Sequence, residues 1–110
     1  MDYAFDRGVN FIDTAEMYPV NPMSAQTAGR SEEVVGTWMR SRRNRHDVVI
    51  ATKISGPGSS IVRDGSGVSK KTIELALHSS LKRLQTDYID LYQIHWPNRG
   101  TYHFQQPPNC

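Results

Sequence analysis

The chain has 110 residues, 37% hydrophobic and 22% charged, which allows one domain at most and excludes a chain disordered by composition. No run of about 18 apolar residues is present, so no transmembrane helix is expected. A formal net charge of +2 is too small to point to nucleic acid or a membrane surface. The N-terminal stretch Met1 to Gly8 carries acids and no apolar core segment, unlike a secretory signal. The single cysteine, Cys110, cannot form an internal disulfide, so nothing requires an oxidising compartment. A cytoplasmic protein is expected.

Met1 to Arg7 has helical spacing at Tyr3, Ala4 and Arg7, and Gly8 suits a left-handed cap. Val9 to Asp13 is the first expected strand. Thr14 to Arg30 follows as a long loop with Pro19, Pro22 and Gly29, and long loops are often functional. Ser31 is the expected cap of a helix whose first turn holds Glu32 and Glu33, where acids favour the dipole. Its apolar face would be Val34, Val35, Trp38 and Met39. Arg40, Arg42, Arg43 and Arg45 crowd its C-terminal end. They suit the dipole there as a solvated helix end better than they suit a nucleic-acid patch.

Asp47 to Lys53 is the second expected strand. Ile54 to Val68 is rich in Gly and Ser, but no Gly-Lys-Ser/Thr follows, so a phosphate loop is not supported. A mobile surface loop is expected there. Ser69 caps the next helix, which runs to about Gln85. Ile73, Ala76, Leu77, Ser80, Leu81 and Leu84 form its core-facing stripe at i, i+3, i+4, i+7, i+8 and i+11. Tyr88 to His95 is the third strand, apolar enough to be buried, and Pro97 stops its pairing. Residues 98–110 read as a loop or disordered tail.

Strand, helix, strand, helix, strand implies a parallel sheet with right-handed crossovers. Ligands then sit at the carboxyl ends of the strands. Those ends carry Asp13, Lys53 and His95, with Lys53 between the other two at strand spacings of about 5 Å. The stem of Lys53 follows an apolar run, and a buried ammonium needs a partner, for which Asp13 is the candidate. Tyr18 follows five residues after Asp13. An ammonium beside a phenol favours the phenolate. Tyr18 is therefore the expected general acid toward an oxygen that gains negative charge, with His95 sharing the proton or the oxygen. Carbonyl reduction fits this set. No side chain can supply hydride, so a nicotinamide cofactor would have to.

Gly8-Val9-Asn10-Phe11-Ile12-Asp13-Thr14-Ala15-Glu16-Met17-Tyr18 resembles the signature of the aldo-keto reductases. Gly29-Arg30-Ser31-Glu32-Glu33-Val34-Val35-Gly36 resembles the helix that follows it. Leu81 to Tyr92, running into His95-Trp96-Pro97, is a third match. The resemblance implies an α/β fold, here a partial (β/α)8 TIM barrel of about three parallel strands with intervening helices. Residues 1–97 would form that partial barrel and 98–110 its tail. It implies an NADP(H)-dependent oxidoreductase that reduces aldehydes or ketones. Tyr18 would be the proton donor, Lys53 its pKa depressor, Asp13 the partner of Lys53, and His95 the group that orients the carbonyl. It also implies a cofactor contact at Asp13 and a substrate-pocket position at Trp96. Most members carry Gly after the tyrosine, where Pro19 stands here before a longer loop, as in a Tas-like branch. Cofactor contacts in the family lie mostly on later strands than these three. The 110 residues alone are expected to be inactive.

Other readings have less support. A non-catalytic binding or accessory barrel, or an inactive truncated product, would keep the same fold. A doubly wound nucleotide fold lacks G-x-G-x-x-G after the first strand, where Asp13 to Tyr18 stands instead. His46, His78, His95, His103 and Cys110 show no metal-ligand spacing, so no metal is expected. The expected partner is a small-molecule carbonyl compound, with neither nucleic acid nor membrane.

Overall fold

The computed structural model describes residues 1–19, 24, 26–58 and 62–96. The tail 98–110 and the strand stop at Pro97 lie outside them. The elements are α1 (Asp2–Asp6), β1 (Phe11–Asp13), α2 (Arg30–Arg42), β2 (Val49–Ile54), α3 (Lys70–Leu84) and β3 (Leu91–Ile94). Short 3-10 turns lie at Arg45–Asp47 and Arg63–Gly65. The sheet is parallel, ordered β1-β2-β3. Among the described residues no helix is long and apolar enough to cross a membrane.

Local chemistry accounts for the helix ends. Ser69 caps α3 by accepting from the Thr72 N–H, and the Thr72 hydroxyl accepts from the Ser69 N–H in return. This reciprocal pair satisfies two donors that a helix start leaves open. The helix α2 departs from expectation, because its cap is Gly29 and not Ser31. Gly29 has φ 86°, the left-handed region that glycine adopts without a Cβ penalty. The Tyr18 carbonyl accepts from both the Gly29 and the Ser31 N–H. The loop itself thus supplies the acceptor that a serine side chain was expected to give.

The core sits between the helices and one face of the sheet. Val35, Met39, Val48, Ile50 and Leu84 form it, with Phe5, Ile12, Trp38 and Ile89 packed around them. Only part of the expected α2 face is buried, since Val34 is 52% exposed. Gly36 marks where α2 meets the end of α3: a Cβ there would lie 2.7 Å from the Leu84 carbonyl carbon. Of the α3 stripe, Ala76, Ser80 and Leu84 are buried.

The arginine-rich end of α2 is not a simple solvated end. Arg42 pairs with Asp2 and Asp6 of α1. The Arg45 guanidinium lies 3.7 Å from the Tyr88 ring centroid and donates to Thr86, the Tyr88 carbonyl and Asp90. A guanidinium offers five donors in a fixed fork, enough to join a turn, a strand entry and a carboxylate at once.

Among the described residues no helix covers the other sheet face. Register pairs Phe11 with Val49, Asp13 with Ala51, Ala51 with Leu91 and Lys53 with Gln93, so these residues share one face. Phe11 is 53% and Leu91 44% exposed. The expectation of a buried third strand is therefore corrected: β3 is half-exposed along its length. The helices cover only the opposite face, and β3 has an edge without a strand among the described residues.

Candidate active site

The strand ends converge as the pattern of elements implies. Asp13 closes β1, Lys53 is the last residue but one of the central β2, and His95 follows β3 with its N–H donating to the Ile54 carbonyl at 2.9 Å. All three stand at the carboxyl rim. Asp13, Lys53 and Gln93 share the uncovered face, and His95 lies two residues beyond Gln93.

The Lys53 ammonium donates to Asp13 Oδ1 at 3.0 Å and to the Thr14 carbonyl at 2.6 Å. Its side chain is only 12% exposed, against 52% for that of Asp13. The partly desolvated cation thus has a carboxylate and a carbonyl as acceptors, which burial requires. Gln93 Nε2 makes a longer contact to the same Asp13 oxygen, 3.4 Å.

Tyr18 reaches this rim from the loop after β1. Thr14 N–H donates to the Ala51 carbonyl and Glu16 N–H to the Lys53 carbonyl, which carries the β1 pairing past the strand end. Thr14 to Met17 are all buried. The Tyr18 ring centroid lies 4.9 Å from Lys53 Nζ. It meets the His95 ring edge-on, with centroids 5.6 Å apart and planes at 80°. His95 packs in turn on Trp96, 5.1 Å between centroids. Trp96 Nε1 donates to the Pro57 carbonyl at 2.9 Å, and a Cβ on Gly56 would run into its indole.

Burial is the main cause that holds His95 below the ordinary imidazole range, and the Lys53 charge adds to it. Asp13 and Glu16 oppose the shift in part. The imidazole is therefore neutral at neutral pH, with one ring nitrogen a donor and the other an acceptor. Its Nδ1 is buried and has no hydrogen-bond partner among the described residues.

Three residues beyond the sequence reading join the rim. Glu16 is 4% exposed, accepts from the Ser55 N–H at 2.7 Å and pairs with Arg63. Arg63 Nη2 also donates to the Ser55 carbonyl at 2.8 Å. Gln93 is the third. Alternation back from His95 could have found Gln93, and its apolar neighbours Ala15 and Met17 could have found Glu16. Arg63 had no local signal. The expectation of a mobile surface loop after β2 is corrected for the described residues there, since Ser55 is fully buried and Arg63 is bonded to both loops.

The chain belongs to the aldo/keto reductase family, whose model matches residues 1–106. Its three parallel strands with helices between them are the architecture of part of an α/β (β/α)8 barrel. The chain is 47% identical over 113 residues to "Protein tas" of Escherichia coli (strain K12), covering 100% of this chain and 30% of the relative. It is 44% identical over 106 residues to "Norsolorinic acid reductase B" of Dothistroma septosporum, covering 92% of this chain and 25% of that one. "Uncharacterized oxidoreductase YrpG" of Bacillus subtilis is 41% identical over 105 residues, with 92% and 31% covered. The chain thus spans about 30% of the length of the first of these relatives. Members of the family generally use NAD(P)H and bind small-molecule carbonyl compounds.

The residues present fit the reacting end of such a cofactor. Asp13 and Gln93 offer a carboxylate and an amide on an open sheet face beside Tyr18 and His95. Lys53 and Arg63, the cations bonded into the rim, are already paired with Asp13 and Glu16. The cofactor phosphates would need cations other than these two.

Proposed function

We propose that this chain supplies the proton-transfer rim of an NADP(H)-dependent carbonyl reductase, with residues 1–97 forming the first part of its barrel. When bound, the nicotinamide supplies a hydride to the carbonyl carbon. Tyr18 gives its hydroxyl proton to the carbonyl oxygen, so that C=O becomes CH–OH and the phenol becomes phenolate. The Lys53 ammonium, held by Asp13 and the Thr14 carbonyl, stabilises the negative charge that passes from oxygen to oxygen. The neutral His95 ring lies against Tyr18 and orients the carbonyl by donating a hydrogen bond. Trp96 forms a wall of the substrate pocket, and Asp13 is placed to contact the cofactor as well as Lys53.

The single observation that carries this reading is the juxtaposition at one rim. Lys53 Nζ is 3.0 Å from the Asp13 carboxylate and 4.9 Å from the Tyr18 ring, which itself abuts His95. The experiment is NADPH oxidation by the purified full-length gene product, followed optically with a panel of aldehydes, ketones and quinones. Oxidation that depends on the carbonyl compound is expected. Cofactor binding without any such turnover would contradict reduction and leave a binding protein with the same fold.

A further inference from the structure

We infer that Glu16 and Arg63 form a clamp that positions Tyr18 against His95 and Lys53, a role that rests on the reading of Tyr18 as the proton donor. The clamp is a closed ring of contacts around Ser55, two residues past Lys53. Glu16 accepts from the Ser55 N–H at 2.7 Å, Arg63 donates to the Ser55 carbonyl at 2.8 Å, and the two side chains pair with each other. The Glu16 backbone is tied to the same strand, its N–H donating to the Lys53 carbonyl at 3.1 Å.

Only Met17 separates Glu16 from Tyr18, and the Tyr18 N–H donates back to the Ala15 carbonyl at 3.2 Å. A shift of Glu16 therefore carries the phenol with it. The Tyr18 carbonyl is fixed from the other side by the start of α2. The β2–α3 loop is held by the same arginine. Arg63 has φ 45°, a backbone region disfavoured for a residue with a Cβ, and its side-chain bonds hold it there. A buried ion pair contributes little net stability against an apolar replacement. Its value at this place is geometric, since the Tyr18 ring meets His95 edge-on and has the Lys53 ammonium 4.9 Å from its centroid.

The test uses the full-length gene product and three variants. Glu16→Gln keeps the volume and the acceptor for Ser55 but removes the charge. Arg63→Lys keeps the charge but not the fork, and Arg63→Met removes both. Nuclear Overhauser contacts between the Tyr18 and His95 rings report position without any turnover. In Glu16→Gln and Arg63→Met these contacts are expected to weaken, with cooperative unfolding retained. In the same two variants kcat is expected to fall by roughly 10- to 100-fold, while KM for the cofactor stays within about twofold. Arg63→Lys should lie between Arg63→Met and the wild type. Wild-type ring contacts in Glu16→Gln and Arg63→Met would overturn the clamp, whatever the activity. A gene product that reduces no carbonyl would remove the role of Tyr18, and the ring contacts would still decide the clamp.

Discussion

Burial sets the chemistry of His95. Its imidazole is held below the ordinary range by desolvation first and Lys53 second. Protonation must therefore cost stability: the unfolded chain takes up the proton at about pH 6.5, and the folded chain only at a lower pH. Stability from this group is fully present above the unfolded value and is lost as pH falls through the folded one. We expect the resistance of the full-length gene product to urea to fall between pH 7 and pH 5, and His95→Gln to lose part of that dependence. Identical slopes in the two proteins would show that His95 is not desolvated. Asp90 acts at lower pH. Its carboxyl is depressed chiefly by the Ile50 N–H and then by Arg45, so its contribution is lost only on stronger acidification. At the other extreme, burial and the nearby Glu16 and Glu32 charges push the Tyr92 phenol up. Tyr92, on β3 two residues from Ile94, is thus held as the neutral phenol.

Elements in this chain are fixed by a few close approaches. Gly36 lets α2 rest on the backbone of Arg83 and Leu84. Beside it the fully buried Glu32 carboxylate accepts from Thr52 of β2 and Arg83 of α3, both at 2.7 Å. One residue of α2 thus ties a strand and a helix together. Gly36→Ala is expected to destabilise by about 1–3 kcal/mol, the usual cost of overpacking, because its Cβ meets backbone that cannot rotate away. Equilibrium denaturation measures this, and an unchanged midpoint would mean that the helices separate freely. At this scale the sequence was informative where signals were local. The Ser69 cap, the α3 stripe and the three strands were legible from periodicity and capping chemistry. The Gly29 cap was not, because its acceptor is the carbonyl of Tyr18, eleven residues earlier. Arg45 was not either, because Asp90 and Tyr88 become its neighbours only when β3 pairs with β2.

At the scale of the whole molecule, the described residues form a sheet with helices on one face. Helices pack on the face of Ile50, Thr52 and Ile54, all fully buried. Phe11 and Leu91, with the polar rim above them, occupy the open face. The strand–helix alternation made the parallel order and the shared rim readable, since only a right-handed crossover is expected between such strands. The openness of that face was harder to read, because an apolar strand is equally consistent with a covered sheet. Family membership, and relatives about three times as long, account for apolar side chains on a face where a barrel interior would lie.

In the proposed reduction, this convergence of strand ends makes Tyr18 the acid. Tyr18→Phe in the full-length gene product tests it most directly, by single-turnover oxidation of bound NADPH with a good aldehyde. Removing the hydroxyl alone should slow reduction by roughly 100-fold or more, the upper part of the range for general-acid catalysis. Cofactor affinity should stay nearly unchanged. Turnover at the wild-type rate would show that Tyr18 is not the acid.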